Sequence, residues 1–231
     1  ADAVVNGLHK TLPVLNQGAC LHMASSYQRE EELRAALSLI TTTSPSFPIL
    51  ASMDLARAMM QEEGYYLLEK ALNLSHEYKN KINTIEGLQV LSEELKYIDG
   101  VSEIDPLKVL VSVNNLSING YEVANILYKN YNIQLELSEE SIILAIFSMF
   151  HTRDDWERFY YALKQIAIKY RTDTPRSSIG MIPPHPTLLL SPRQAYFSKK
   201  RTIQLEDSVG LVSGEMIAAY PPGIPCILPG E

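Results

Sequence analysis

Gly7-Leu8-His9-Lys10-Thr11-Leu12-Pro13, followed by Asn16-Gln17-Gly18-Ala19-Cys20-Leu21-His22, is the stretch on which the reading of this chain turns. It sets a lysine in a glycine-started loop between two apolar runs. The runs, Ala1 to Val5 and Gly18 to Met23, predict two buried strands, the second preceded by the turn-like Asn16-Gln17-Gly18. Taken alone, such a lysine is ordinarily a solvent-exposed cation. Held between apolar strands it would instead be desolvated, which lowers its pKa and leaves a nucleophilic amine for an aldehyde. His9 beside it is open to three readings, a core residue, a surface residue or a donor to a phosphate. Ala1 stands where an initiator Met would be, so the opening reads as though the chain begins in mid-domain.

Downstream, Gln28 to Ile40 interleaves Glu and Arg with Leu33, Ala36, Leu37 and Ile40 at helical spacing. A polar loop, Thr41-Thr42-Thr43-Ser44-Pro45-Ser46, ends that helix. Pro48 suits the first turn of the next, whose apolar run from Ile49 to Met60 predicts burial on several sides. A further helix is expected over about Glu62 to Ile82. Beyond Asn83 the pattern changes. Lys108 to Val113 alternates as a strand, Gly120 to Tyr131 reads as a helix, Ile133 to Leu137 and Ile142 to Phe150 read as strands, and Asp154 to Tyr170 is amphipathic. That order outlines a small α/β sandwich. A proline-rich linker with Pro175, Pro183, Pro184, Pro186 and Pro192 follows. Ser191-Pro192 makes a cap and first turn for a short helix through Lys199, and the chain closes on the rigid Tyr220-Pro221-Pro222-Gly223-Ile224-Pro225.

Composition excludes several classes of function. With 46% hydrophobic and 20% charged residues over 231 positions, the chain can bury one sizeable core or two small ones. A net charge of -7 opposes a nucleic-acid-binding surface, and Ser198-Lys199-Lys200-Arg201 reads as a solvated turn. No apolar run approaches the roughly 20 residues that span a bilayer, so no membrane partner is expected, and no basic segment leads into an apolar signal core. Cys20 and Cys226 lie in no metal-ligand spacing, so neither a zinc site nor a disulfide framework is expected, and a reducing cytoplasm fits best.

The Gly7 to His22 stretch resembles the Schiff-base segment of the Orn/Lys/Arg decarboxylases, enzymes dependent on pyridoxal phosphate with the aspartate-aminotransferase-like fold. Further stretches agree in order: Thr42-Thr43-Ser44-Pro45-Ser46 through Ala51-Ser52-Met53-Asp54; Asp105-Pro106-Leu107-Lys108, Gly120-Tyr121-Glu122 and Ile133-Gln134-Leu135-Glu136-Leu137; and Ser191-Pro192-Arg193-Gln194-Ala195-Tyr196-Phe197 with Tyr220 to Pro225 and Pro229-Gly230-Glu231. The resemblance implies an α/β chain in three parts. Residues 1–84 would be the end of the cofactor-binding large domain, 85–171 a small α/β domain, and 172–231 the linker with a C-terminal decarboxylase domain.

By the same resemblance, Lys10 holds the cofactor as a Schiff base and moves protons at the substrate Cα after CO2 leaves. His9 lies near the cofactor phosphate, and Thr42, Thr43 and Ser44 reach a phosphate across a dimer interface, unless that loop is a plain helix-capping turn. No metal is implied. Gly7 departs from the family, which commonly has a phosphate-binding Ser there; one neutral donor is worth about 1 kcal/mol. The Asp for the pyridine nitrogen, the ring-stacking residue and the main phosphate loop precede the lysine in the family, so the expected partners are an N-terminal half, a second subunit and an amino-acid substrate. The expected activity is decarboxylation of arginine, lysine or ornithine. A non-catalytic relative with a binding or regulatory role, or another fold-type-I enzyme such as an aminotransferase, are the alternatives. Glu136 and Asp154 are acidic candidates for a distal amine or guanidinium, and either is equally a surface residue.

Overall fold

A computed structural model describes residues 2–176, 186–218 and 223–231. Ala1, Pro183 and Pro184 of the linker, and Tyr220-Pro221-Pro222 lie outside the described residues. The chain divides into two compact units, one of residues 1–74 with 148–151, the other of residues 75–147 with 152–231.

In the first unit, β1 (Ala3–Asn6) and β2 (Cys20–Met23) form an antiparallel ribbon in which Val4 faces His22 and Asn6 faces Cys20. Both strands stand where the apolar runs put them, but neither is buried. Every residue of β1 is exposed, because a two-stranded ribbon has two faces and nothing described in this chain covers them. Two helices follow, α1 (Glu30–Ile40) and α2 (Phe47–Glu62), the latter with Pro48 in its first turn. The expectation that α2 is buried on several sides does not hold, since Ala56 is its one buried residue. The helix α3 (Gly64–Asn83) begins in this unit, and its last turns, from Ser75, belong to the second.

The second unit carries the principal core. Its sheet runs in the order β3 (Gln89–Leu91), β4 (Lys108–Ser112), β6 (Ile142–Ile146), β5 (Leu137–Ser138), all neighbours antiparallel. Strand alternation sends Val109, Val111, Ile143 and Ala145 to one buried face. The helix α4 (Gly120–Tyr131) packs on β5 and β6 and against α5 (Arg153–Tyr170), giving the expected two-layer α/β arrangement. Trp156 fills its centre, stacked on Phe147 with ring centroids 3.6 Å apart and on Tyr78 at 5.7 Å.

Both helices start on capping boxes, Asn119 with Glu122 and Thr152 with Asp155. Gly120 is required by close approach. A Cβ there would lie 2.1 Å from the Glu139 carbonyl oxygen and 2.5 Å from that of Ile142.

The strand expected at Ile133 to Leu137 is displaced to Leu137–Ser138. Asn132 ends α4 in the left-handed region at φ 53°, and Ile133 N–H returns to the Leu127 carbonyl, so Ile133 to Leu135 lead the chain off the helix and pairing with β6 begins at Glu136 N–H on the Leu144 carbonyl.

Toward the C-terminus, α6 (Pro192–Phe197) opens on a Ser191 and Gln194 capping box, and β7 (Ile217–Ala218) pairs with β8 (Pro225–Ile227). Gly230, at φ 101°, is bound from Leu189 and Leu190 through its carbonyl and donates to Ser213, a position where a Cβ would strike the Leu190 carbonyl oxygen at 2.0 Å.

Candidate active site around Lys10

Lys10 closes a single 3-10 turn, Leu8–Lys10, that follows β1 directly. The turn is held by Lys10 N–H to the Gly7 carbonyl at 3.0 Å and Leu12 N–H to the Leu8 carbonyl at 2.9 Å. His9 is fixed twice to one acceptor. Its backbone N–H (3.4 Å) and its ring Nδ1 (3.1 Å) both donate to the Gly18 carbonyl. A carbonyl accepts only, so Nδ1 carries the proton, and in the neutral ring Nε2 keeps its lone pair. His9 is half-buried, with one ring nitrogen committed to the loop.

The Lys10 side chain is exposed and has no ion-pair partner among the described residues. This corrects the expectation of a lysine desolvated between buried strands, because β1 is exposed throughout and β2 is at most half-buried. No carboxylate among the described residues holds its ammonium, which suits an amine that bonds a carbonyl carbon. Gly7 has φ -77° and ψ 91°, a conformation open to any residue, and a Cβ there would come no closer than 3.6 Å to its nearest neighbours, His9 Cε1 and Lys10 Cγ.

Beyond Lys10 the loop turns back through Gln17, held at φ 76° with its N–H on Asn16 Oδ1. Val14 and Gly18 are its buried members. Gly18 leaves no room for a side chain, since a Cβ would sit 2.3 Å from Val14 Cγ1 and 3.4 Å from Met53 Cγ on α2. The loop is also hydrogen-bonded to that helix: Leu15 N–H donates to Ser52 Oγ at 3.1 Å, and the Ser52 hydroxyl donates to the Ile49 carbonyl at 2.7 Å. Ser52 had no role in the sequence reading, and a lone hydroxyl within a helix gives no signal for one.

Thr42, Thr43 and Ser44 lie exposed in the α1 to α2 connection. Thr41 caps α1 through its hydroxyl on the Leu37 carbonyl at 2.8 Å, and Thr42 Oγ1 accepts Ser44 N–H at 3.1 Å. The Thr42 hydroxyl proton stays free to donate. No hydrogen bond among the described residues joins this loop to His9 or Lys10, so one chain brings together His9 and Lys10 but does not join the hydroxyl loop to them. Glu136 and Asp154 are both exposed. No group of His, Cys, Asp or Glu among the described residues is set to hold a metal, and no helix among them is long and apolar enough to cross a membrane. Cys20 and Cys226 are both free thiols. The residues present thus fit pyridoxal phosphate in part, with one uncommitted amine, one imidazole nitrogen and a run of hydroxyl donors.

Comparison with known proteins agrees in order along the chain. The Orn/Lys/Arg decarboxylase major-domain family matches residues 3–155, and the Orn/Lys/Arg decarboxylase C-terminal domain matches residues 180–231. The arginine decarboxylase of Bacillus subtilis is 33% identical over 233 residues, covering 100% of this chain and 48% of the relative. The constitutive lysine decarboxylase of Escherichia coli is 24% identical over 299 residues, covering 96% of the chain and 42% of the relative. The solved structure of that lysine decarboxylase superposes with a TM-score of 0.76 at 20% identity, over 99% of this chain and 43% of its own, which shows the shared fold. The chain spans about half the length of the curated relatives it matches.

Proposed function

The chain belongs to the Orn/Lys/Arg decarboxylase family, and on that premise we propose that it is the lysine-bearing part of a pyridoxal-phosphate-dependent enzyme that decarboxylates arginine, lysine or ornithine. The product would be agmatine or a diamine, in a polyamine-forming step. The observation that carries this reading is Lys10 itself, an exposed amine without an ion-pair partner among the described residues, on a turn that His9 locks to Gly18. The division at 1–84, 85–171 and 172–231, a cytoplasmic location and a homodimer or higher oligomer belong to the same reading.

When bound, pyridoxal phosphate supplies the electron sink for the pair left on the substrate Cα as CO2 departs. Lys10 is the residue that would hold the cofactor through its amine and, once released by the substrate amine, would serve as the proton donor to Cα. His9, its Nδ1 already committed to Gly18, would donate to a phosphate oxygen through Nε2 as an imidazolium, the form in which both ring nitrogens carry protons. Thr42, Thr43 and Ser44 offer neutral donors suited to a dianion without adding net charge. The pyridine-nitrogen partner, the stacking residue and the main phosphate loop come from sequence that the family carries before the lysine.

Borohydride reduction of the complete enzyme tests the assignment. A pyridoxyl group should be fixed on the peptide containing Lys10, and Lys10→Ala should abolish decarboxylation while leaving the fold intact by circular dichroism. A label on Lys70 or Lys108 instead would overturn it.

A further inference from the structure

We infer that Ser52 is a positioning residue for Lys10, an inference that rests on the role proposed for Lys10 and deepens it. A continuous hydrogen-bond chain runs from α2 to the residue beside Lys10. Leu15 N–H donates to Ser52 Oγ at 3.1 Å, Gly18 N–H donates to the Leu15 carbonyl at 3.1 Å, and the Gly18 carbonyl accepts both the His9 backbone N–H and His9 Nδ1. Ser52 is itself held, because its hydroxyl proton is spent on the Ile49 carbonyl at 2.7 Å, which aims the oxygen lone pairs at the loop.

Packing alone restrains the loop poorly. Thr11, Pro13, Leu15, Asn16 and Gln17 are exposed, and Val14 and Gly18 alone are buried between Lys10 and Ala19. A segment with so few buried contacts samples open conformations at little cost, so one polar tether to a helix narrows its range appreciably. The amine must approach a carbonyl carbon within a near-attack distance, and a displacement on the order of 1 Å is costly there. Ser52 therefore acts on Lys10 through Leu15, Gly18 and His9, and touches no reacting atom itself.

The test uses the complete polypeptide stripped of cofactor, with pyridoxal phosphate as the probe. The rate constant for borohydride-fixable incorporation on Lys10 is measured in the parent, Ser52→Ala and Ser52→Thr. Ser52→Ala should lower that rate constant about fivefold, the scale of one neutral hydrogen bond, and lower kcat similarly with KM within about twofold. Ser52→Thr, which keeps the oxygen, should restore both. A merely structural role would reduce the labelled amplitude and the unfolding temperature while leaving the rate constant unchanged. Equal rate constants in all three proteins, with Lys10 labelled, would overturn the role of Ser52 alone. Absence of label on Lys10 in the parent would overturn the proposed function, and the role of Ser52 with it.

Discussion

At the residue scale, Gly7 shows how backbone geometry decides between two readings of one departure. A glycine where the family commonly carries serine either preserves a left-handed backbone or simply omits a hydroxyl, and residue type cannot separate the two. With φ at -77° and open van der Waals distances of 3.6 Å around a virtual Cβ, the position bears a side chain without strain. Gly7→Ser in the complete enzyme should therefore tighten pyridoxal phosphate a few-fold, about 1 kcal/mol for one added neutral donor, read by equilibrium titration of the bound cofactor. Weaker binding would mean that the serine collides with the phosphate or with His9. Gly18 differs, since there a side chain is opposed by Val14 Cγ1 at 2.3 Å and the Leu15 carbonyl oxygen at 3.2 Å. Both glycines belong to a segment whose family resemblance was legible in sequence, whereas the reason for each was not. One-dimensional spacing reports that a lysine follows a glycine by three residues, and says nothing of which through-space neighbours stand beside that glycine.

Between elements, the join of α3 to α5 offers a pH-dependent measure of stability. Arg153 grips Glu77 with two bonds, at 2.7 and 2.8 Å, and Lys81 adds a third contact at 2.9 Å, while Tyr78 beside them donates to Glu157 at 2.6 Å. The Arg153 guanidinium first, then Lys81, hold the Glu77 carboxyl down from 4.5 to about 2. A depressed carboxylate stabilises the folded chain fully above its unfolded value near 4.5 and loses that contribution as pH falls toward 2. Glu77→Gln should thus cost about 0.5–1 kcal/mol at pH 7, the scale of a screened, partly exposed pair. The gap from the parent in urea unfolding should narrow below pH 4.5 and close near pH 2; a gap independent of pH would show that the loss is one of packing. Elements of this length were legible because their periods repeat: Gly120 to Tyr131 is a helix over those very residues, and Asp154 to Tyr170 lies within Arg153–Tyr170. The three-residue β3 passed unseen, since so short a run cannot display alternation. Apolar content also overstated burial in β1 and α2, because it marks surface that water disfavours without saying what covers it.

At the scale of the whole molecule, the hydroxyl loop and Lys10 raise the question of how many chains build one site. Thr41 to Ser44 are four consecutive hydroxyl residues stiffened by Pro45, a set of neutral donors whose reach is restricted. Within the chain that loop caps α1 and closes on itself through Thr42 and Ser44, and it makes no hydrogen bond to His9 or Lys10. A loop that serves a phosphate yet stays unjoined to its own lysine is expected to serve the lysine of a second subunit. Complementation decides the matter. Lys10→Ala subunits are mixed with subunits in which Thr42, Thr43 and Ser44 are all alanine, each poorly active as a homodimer. If the loop acts across the interface, the mixed dimer gathers both lesions into one site and leaves the other whole. Random exchange at equal concentrations should then restore about one quarter of the parental activity, one sound site in each of the half of dimers that are mixed. If the loop serves its own chain, every site in the mixed dimer carries one lesion and nothing returns. Exchange verified by mass without recovery would leave Thr42 to Ser44 as a helix-capping turn, and would return the phosphate to His9 and to donors that precede the lysine.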